Sequence, residues 1–371
     1  MPPRPPEIAL GPPLQQIDRT SVLYEGRKLA YFGGCDYFRL SSHPRVQQAC
    51  VEGLHRYGLN VAASRLTTGN HRSYQELERR IAEFFEVESA TLVSTGYVAN
   101  SVAAQALASR FSHAFLDHDS HASLADAAVL LKAKVVRFER ANAADLRRRL
   151  RAARNCRRAV VLSEGLFGHN GNVAPLRDYL AVLPQSAMLF VDDAHGAGVL
   201  GETGKGTVEE LKLPVERTVR AVTLSKAFGV YGGAVLGGRQ LQKRIYASSS
   251  IFAGNTPLPL PLAAAALSSV DLLQRDVSMR KRLRENISRV KDALQVTGLL
   301  MGHPSAPILS IVPSGAKEVK KLRGELLKRG VYPSFIHYPG GPREGYFRFA
   351  ISSEHNAGQL DALIDALGGR R

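Results

Sequence analysis

Ionisable side chains directly follow two apolar segments of this chain. In the stretch LFVDDAHGAG, apolar residues 189–191 precede Asp192, Asp193 and His195. In the stretch TLSKAFGVYGG, Lys226 follows an apolar segment in the same way, and the glycines behind it allow close approach to the backbone. Burial would lower the pKa of such a lysine toward the neutral amine, the form that attacks carbonyl groups. These residues predict a lysine that does Schiff-base chemistry.

A carboxylate about one β-α-β unit upstream of such a lysine meets the requirements of pyridoxal phosphate (PLP). This cofactor needs a lysine that bonds to its aldehyde and a carboxylate that keeps its ring nitrogen protonated, so that the ring accepts electrons. Lys226 and Asp192 supply these two groups, and His195 lies beside them. Each residue also has an ordinary structural interpretation, as a surface lysine, a turn-capping aspartate and a hydrogen-bonded core histidine.

The stretch LVSTGYVANSVAAQAL (92–107) is a candidate phosphate site. Its pattern indicates a strand, a Ser-Thr-Gly turn and a helix, whose N-terminal N–H groups would bind an anion. Serine and threonine are also ordinary helix caps, so this signal is weak alone. The stretch GETGKGT resembles a nucleotide-binding loop, but Val199 replaces the first glycine and Gly206 replaces the magnesium-binding hydroxyl residue. We therefore exclude a nucleotide P-loop.

Two further motifs carry candidate ligand-binding residues. His118 and His121 in DHDSHASLADAA have a spacing that suits a metal, but no third and fourth ligands are evident, so we expect no metal. The alternative is a histidine that lies flat on a planar cofactor. Arg348 in YFRFAISSEH is either an exposed strand arginine or a bidentate clamp for a substrate carboxylate.

Short apolar segments alternate with helical patterns, which predicts an α/β fold with a mostly parallel sheet. The clearest segments are Ala90–Ser94, Arg158–Gly165, Ala187–Asp193 and Arg220–Lys226. They show no apolar-polar alternation, so both faces of the sheet are expected to be buried. In such sheets, the carboxyl ends of the strands open onto the ligand, which is where the polar residues above fall. A helix over 72–85 precedes the first strand.

The pattern along the chain predicts three parts. Residues 1–40 form an N-terminal arm, residues 41–270 a large cofactor-binding domain, and residues 271–371 a smaller α+β domain. The smaller domain is expected to contain strands within APILSIVP and YFRFAIS, and helices within KEVKKLRGELLKRG and GQLDALIDALG.

Composition narrows the class of protein. No apolar run reaches the roughly 20 residues of a membrane helix, and the proline-rich start lacks the apolar core of a secretory signal. Three cysteines without a CxxC pair fit a reducing compartment, so we expect a cytoplasmic protein. The net charge of +16 is concentrated in the helical pattern of 145–158. That arginine face is interpreted as solvated, with anionic-substrate attraction or nucleic-acid binding as alternatives.

Together these motifs resemble the α-oxoamine synthase family, within the fold-type I, aspartate-aminotransferase-like enzymes that use PLP. The resemblance covers nearly the whole chain, and the order of motifs is more specific than any one of them. In chain order the motifs are SRLTTGNHRSYQELE, STGYVAN, DSHAS, SEGLFGHNGNVAPL, VDDAHGAGVLGETGKG and TLSKAFGVYGG.

The resemblance implies a role for each matching residue. Lys226 would form the Schiff base with PLP, and Asp192 would pair with the ring nitrogen. His195 would bond the phenolic oxygen, while His121 would stack on the ring. The phosphate would be bound by Gly96, Tyr97 and Thr223. Arg348 would take the carboxylate of the amino acid, and Thr256 is the match for a threonine that reaches the phosphate of the partner subunit.

The implied reaction joins an amino acid to an acyl-CoA, releases carbon dioxide and coenzyme A, and takes place in a homodimer with shared active sites. An aminotransferase is the alternative, because lysine, aspartate and arginine recur throughout the fold type. A non-catalytic binding protein of this fold is a third hypothesis. Departures from the family pattern bear on the substrate: Cys35 replaces an asparagine, Gly168 a serine and Tyr74 a histidine, and His169 is new.

Overall fold

The computed structural model describes residues 11–118, 120–299, 301–338, 341–342 and 344–369. Residues 1–10 of the expected arm and residues 370–371 lie outside these ranges. The strands are β1 (Gln15–Gln16), β2 (Ser21–Tyr24), β3 (Arg27–Ala30), β4 (Ser89–Val93), β5 (His113–Asp117), β6 (Lys134–Phe138), β7 (Ala159–Glu164), β8 (Met188–Asp192), β9 (Thr218–Thr223), β10 (Gly233–Gly237), β11 (Ile308–Ile311), β12 (Phe335–Ile336) and β13 (Tyr346–Ala350).

The α-helices lie between these strands and flank them. They are α1 (Pro44–Tyr57), α2 (Arg72–Phe85), α3 (Gly96–Ala106), α4 (Ala122–Leu130), α5 (Ala143–Ala152), α6 (Leu176–Val182), α7 (Thr207–Glu210), α8 (Arg239–Ser248), α9 (Ser250–Gly254), α10 (Leu260–Arg275), α11 (Val277–Leu294), α12 (Ala316–Lys328) and α13 (Ala357–Ala366). No helix within the described ranges is long and apolar enough to cross a bilayer.

A seven-stranded sheet forms the centre of the molecule, in the order β4-β10-β9-β8-β7-β5-β6. Strand β10 is antiparallel to both of its neighbours, whereas β5 to β9 pair in parallel. The α/β fold class with a mostly parallel sheet is therefore confirmed. The four clearest predicted segments coincide with β4, β7, β8 and β9, and these strands are buried almost throughout.

The sequence pattern predicts a helix over 72–85 and another over 145–158, and the structure tests both predictions. Helix α2 has the predicted bounds, and Leu77, Ile81 and Phe84 are buried on one face. The arginine-rich helix α5 begins at Ala143, after the Asn142 cap, and ends at Ala152. The predicted continuation to Arg158 is wrong, because the chain extends at Ala153 and turns toward β7.

A second, antiparallel sheet has the order β11-β13-β12. The N-terminal segment joins this region: Ala30 forms a bridge with Val331, and the Ala350 N–H donates to the Phe32 carbonyl at 2.6 Å. Helix α10 runs without interruption through residue 270, where the sequence placed the domain boundary.

Candidate active site

Polar side chains meet at the carboxyl edge of the central sheet. Strands β7 and β8 are parallel, and their register sets Glu164 opposite Asp192, each at the end of its strand. Strand β9 ends at Thr223, and Lys226 follows in the connection to β10. Because parallel strands end at one edge, residues distant in sequence come together here.

A cavity of about 260 Å³ lies at this edge. Seven of the predicted site residues line it: Gly96, Tyr97, His121, Asp192, His195, Thr223 and Lys226. Glu164, Ser123, Tyr231 and Tyr338 also line it, although the sequence analysis assigned them no role. A signal for Glu164 was available, because it ends a buried strand in the same way as Asp192.

The Lys226 amine is surrounded by groups that determine its protonation. Burial lowers the pKa of Lys226, and the nearby Cys35 and Asp192 offset only part of that effect. A lowered pKa increases the share of the neutral amine, which can act as a nucleophile or a base. The position next to the cavity therefore suits the Schiff-base lysine that the motif predicts.

Asp192 is held by two hydrogen bonds. Its Oδ2 accepts from Asn100 Nδ2 at 2.7 Å, and its Oδ1 accepts from the Ala194 N–H at 3.1 Å. Asn100 lies in helix α3 and is fully buried, and its Oδ1 has no hydrogen-bond partner among the residues that the structure describes. Asn100 could have been identified from the sequence, because it is a polar residue among the alanines and valines of α3. The carboxylate is thus oriented before any ligand binds.

The same amide continues a hydrogen-bond chain to His121. Asn100 donates to Ser123 Oγ at 2.9 Å, and Ser123 Oγ lies 2.7 Å from His121 Nδ1. The Ser123 N–H also donates to that nitrogen, so Nδ1 is an acceptor and the proton of the neutral ring is on Nε2. Nε2 lies 2.8 Å from the Tyr338 hydroxyl. Burial lowers the pKa of His121, which favours this neutral form.

The first turn of helix α3 provides an anion-binding surface. Thr95 caps the helix by accepting from the Val98 N–H at 3.1 Å, and Gly96 and Tyr97 begin the helix. A β-carbon on Gly96 would lie 2.5 Å from Thr223 Cβ, so glycine is required for this close approach. The N–H groups of a first helical turn have no acceptor within the helix and suit a phosphate.

His195 is held between a tyrosine and a glycine. Its Nδ1 lies 2.7 Å from the Tyr37 hydroxyl, while a β-carbon on Gly168 would lie 2.3 Å from its Nε2. Burial, and then the charge of Lys226, lower the pKa of His195 well below its usual value. The ring occupies the space that a β-carbon at position 168 would need.

A second cavity of about 220 Å³ adjoins the first, and Lys226, His121, His195 and Tyr338 line both. Arg348, Cys35 and His169 line only the second. Arg348 Nη2 donates to Cys35 Sγ at 3.0 Å. The predicted carboxylate clamp thus lies in a compartment beside the lysine.

Glu164 lies where the two cavities meet. Its Oε1 accepts from the His121 N–H at 2.9 Å, and its Oε2 accepts from the Gly168 N–H at 3.3 Å. Burial, and then the negative charge of Asp192, raise the pKa of Glu164 to about 7. This carboxyl group therefore holds its proton at a pH at which an exposed glutamate would have lost it.

Two remaining sequence expectations fall outside these cavities. Thr256 lines a separate cavity of about 20 Å³ near Ser94, so the structure does not bring it to the Lys226 cavity of its own chain. Tyr74, in place of the family histidine, is fully buried, and its hydroxyl donates to the Leu258 carbonyl at 2.5 Å. This contact gives Tyr74 a packing role.

The residues that line the first cavity fit PLP. A carboxylate, a lysine of lowered pKa and a helix N-terminus correspond to the ring nitrogen, aldehyde and phosphate of the cofactor. The buried Asn100 Oδ1 without a partner is an additional acceptor beside them. Within the described ranges, no group of three or more histidine, cysteine or acidic side chains could hold a metal ion.

Comparisons with known proteins agree with this geometry. The family model for aminotransferase class I and II matches residues 36–367. The chain is 35% identical over 358 residues to a putative 8-amino-7-oxononanoate synthase of Desulforudis audaxviator, covering 96% of this chain and 93% of the relative. It is 31% identical over 356 residues to 8-amino-7-oxononanoate synthase 1 of Bacillus subtilis, covering 95% and 91%.

Solved structures give the same result. A serine palmitoyltransferase of S. paucimobilis with bound PLP matches with a TM-score of 0.88 and 26% identity, covering 95% of this chain and 90% of that one. An 8-amino-7-oxononanoate synthase of Francisella tularensis matches with a TM-score of 0.78 and 25% identity, covering 91% and 96%. The chain therefore belongs to the aminotransferase class I and II family of PLP-dependent enzymes and, within it, to the α-oxoamine synthases.

Proposed function

We propose that this enzyme condenses an amino acid with an acyl-CoA thioester, with loss of carbon dioxide, to give an α-amino ketone. The observation that carries this proposal is the shared wall of the two cavities, where Lys226 faces both the cofactor site and the compartment of Arg348. The relatives named 8-amino-7-oxononanoate synthase support it, because their named product has an amino carbon directly beside an oxo carbon.

In the first cavity, the residues would bind and orient PLP. Lys226 would hold the cofactor covalently, and Asp192 would hold a proton on the ring nitrogen, with Asn100 fixing the carboxylate. The N-terminus of α3 and Thr223 would bind the phosphate. When bound, PLP supplies a ring that withdraws electrons from the α-carbon of the amino acid.

In the second cavity, the residues would bind the amino acid and move its proton. Arg348 would hold the carboxylate, which places the α-carbon beside Lys226. Once the amino acid has displaced Lys226 from the cofactor, the freed amine, whose pKa burial lowers, would remove the α-proton as a general base. The carbon–carbon bond would then form at the thioester carbonyl, and coenzyme A would leave as the thiol. The carboxylate held by Arg348 would leave as carbon dioxide, and a proton would replace it on the α-carbon.

We also propose a homodimer in which the partner completes the cofactor site. Tyr97 and Tyr231 line the first cavity, although 45% and 52% of their surfaces are exposed, which suits coverage by a second subunit. Thr256 lies outside the cavity of its own chain, as expected for a residue that serves the partner. Sedimentation of the PLP-loaded enzyme should give the mass of a dimer, and a monomer would contradict this proposal.

We also propose the bounds of the two domains and the cellular compartment of the protein. We propose that residues 41–270 are the cofactor-binding domain and residues 271–371 the smaller domain, supported by the separate central and C-terminal sheets. The free state of Cys35, Cys50 and Cys156 supports a reducing compartment, which we propose to be the cytoplasm.

The decisive experiment is product analysis of the PLP-loaded enzyme with an amino acid panel and acyl-CoA thioesters. We expect free thiol and carbon dioxide in equal amounts, and neither product from Lys226→Ala. Lys205→Ala is the matched control, because Lys205 forms an ion pair with Glu86 away from the cavities. Accumulation of a 2-oxo acid without thiol release would indicate an aminotransferase and contradict the proposal.

A further inference from the structure

Arg348 lacks the partner that a part-buried guanidinium normally has. Among the described residues, its hydrogen bond goes to Cys35 Sγ at 3.0 Å, and its Nε is buried without a partner. The groups that act most strongly on its charge are the Cys35 thiol and the hydroxyls of Tyr37 and Tyr346. A cation removed from water without a carboxylate is unfavourable, so a neighbouring anion is expected.

The Cys35 sulfur is placed to be that anion. It lines the second cavity with Arg348 and Lys226, and the Tyr37 hydroxyl also interacts with it. Burial raises the pKa of Cys35, but the positive charge of Arg348, that of Lys226 when its amine is free and protonated, and the hydrogen bonds from Arg348 and Tyr37 together bring the pKa below its usual value. Arg39 is a third cation that interacts with the thiol.

The remaining titratable groups around the sulfur do not reverse this balance. The hydroxyls of Tyr31, Tyr338 and Tyr346 face it, and burial raises the pKa of all three, so they stay neutral and can donate hydrogen bonds. His195, which contacts the Tyr37 hydroxyl, is neutral as well, because burial lowers its pKa. Glu164 lines the same cavity, and burial and then the charge of Asp192 raise its pKa to about 7, so it carries less negative charge than an exposed glutamate. Arg348 is the charged group in hydrogen-bond contact with the sulfur.

We propose that the Cys35 thiolate is the counter-anion of Arg348 in the resting enzyme, that a substrate carboxylate displaces it, and that Cys35 is a modification site for carboxylate-bearing electrophiles. The displacement step rests on the proposed function, because it needs an amino acid carboxylate at Arg348. On displacement, the thiolate takes up one proton from solvent and remains as a neutral thiol beside the bound carboxylate. Cys35 thereby couples amino acid affinity to pH.

The modification step has a defined chemistry. An α-halo carboxylate such as iodoacetate would place its carboxylate on Arg348 and its methylene carbon near Cys35 Sγ. The sulfur–carbon bond forms, the carbon–iodine bond breaks, and iodide leaves, with no oxidant required. Iodoacetamide has the same leaving group without the charge, so the ratio of the two rates isolates the contribution of Arg348.

The first test is peptide mapping of the intact protein after brief labelling with each reagent. Cys50 is the internal control, because it reports the iodoacetate-to-iodoacetamide ratio without a neighbouring Arg348. Cys156 is no control, because Arg154, Arg157 and Arg158 surround it in sequence. We expect that ratio to be at least about tenfold higher at Cys35 than at Cys50, and Arg348→Gln to abolish the difference while iodoacetamide still labels Cys35. Equal ratios at Cys35 and Cys50 would overturn the proposal.

The second test measures amino acid binding to the PLP-loaded enzyme at several pH values. The change in cofactor absorbance reports the binding. The ratio of the wild-type dissociation constant to that of Cys35→Ala should rise by up to about tenfold per pH unit above the thiol pKa. Cys35→Ser should match Cys35→Ala, because a hydroxyl does not ionise in this range. A ratio independent of pH would overturn the displacement step.

These results separate this inference from the proposed function. Selective labelling of Cys35 without condensation products would contradict the proposed function and leave the thiolate–arginine pair standing. Condensation products without selective labelling of Cys35 would support the proposed function and contradict the thiolate–arginine pair. Amino acids should also protect Cys35 from iodoacetate, whereas equal labelling in their presence would contradict a shared site on Arg348.

Discussion

The Tyr37 hydroxyl lies 2.7 Å from Nδ1 of His195, although 158 residues separate the two in sequence. We expect Tyr37→Phe to lower the free energy of unfolding by about 1 to 3 kcal/mol, because it leaves a polar nitrogen of His195 without its partner. Urea unfolding at one fixed protein concentration measures this. Tyr346→Phe is the matched control, since that hydroxyl is buried and forms no hydrogen bond within the described part of the chain, so its removal should cost nothing. Equal losses in both variants would contradict the prediction.

Gly168 leaves room for the His195 ring. We expect Gly168→Ala to raise the dissociation constant of PLP by about tenfold or more, because a β-carbon 2.3 Å from Nε2 forces His195 out of position. Absorbance titration of the cofactor-free enzyme with PLP measures the constant. Gly324→Ala in helix α12 is the control, as nothing lies within 4 Å of its added carbon. An unchanged constant in Gly168→Ala would show that His195 does not need its present position.

The adjacent carboxylates Asp192 and Asp193 should respond differently to the same change. Asp192 lines the cofactor cavity, whereas Asp193 is fully buried and accepts from Thr207 Oγ1 at 2.6 Å. We expect Asp192→Asn to lower kcat by about 100-fold or more, because a positioned charge in the site is lost. Asp193→Asn should lower stability and leave kcat near the wild-type value. Steady-state thiol release and urea unfolding measure the two effects, and a large kcat loss in Asp193→Asn would contradict this assignment.

Burial of acidic groups should give the protein an unusual dependence of stability on pH. Burial raises the pKa of Glu164 to about 7, and it raises those of Asp117 and Asp193 to about 6. At these three groups the folded state binds more protons than the unfolded state between the ordinary carboxyl pKa and these values, so their contribution to stability falls as pH rises through that window. Burial lowers the pKa of His195 and His355, and these groups contribute in the opposite direction.

The measurement is urea unfolding of the cofactor-free protein between about pH 4 and pH 8, the span of these ionisations. The stability of Glu164→Gln relative to the wild type should rise with pH across this span, because the variant lacks an ionisation that destabilises the wild-type fold. Glu318→Gln is the control, since bonds from Ser314 lower the pKa of that exposed carboxyl, the opposite direction to Glu164. A wild-type slope in Glu164→Gln would mean that the ionisation of Glu164 is not linked to folding.

The sequence was most informative where chemistry and secondary structure coincide. Asp192 and Lys226 could be predicted because each follows a buried strand, and parallel strands bring such ends together. Strands β6 and β10 were not among the clearest predicted segments. Strand β6 is largely exposed and carries Lys134 and Arg137. Strand β10 has glycine at both ends, which leaves a run of three apolar side chains, so neither strand has a strong apolar pattern.

The surroundings of these residues could not be predicted in the same way. Tyr37 and Cys35 come from the loop before α1, and Arg348 comes from the last strand of the second sheet. These contacts depend on how the chain packs over long separations, and no local period reports them. The structure shows that the predicted residues line one cavity. The role that the family resemblance gives to each of them remains a prediction.

The Cys35 segment is hydrogen-bonded to strand β13 and to the residues that follow it, on both sides of the sulfur. The Ala350 N–H donates to Phe32, and the Ser353 N–H donates to the Tyr37 carbonyl at 2.9 Å. Arg348 lies in the strand that carries Ala350. The backbone segments that carry the Cys35 thiol and the Arg348 guanidinium are therefore hydrogen-bonded to each other. If these segments moved together relative to the central sheet, the distance from each group to Lys226 would change, while the distance between the thiol and the guanidinium would stay the same.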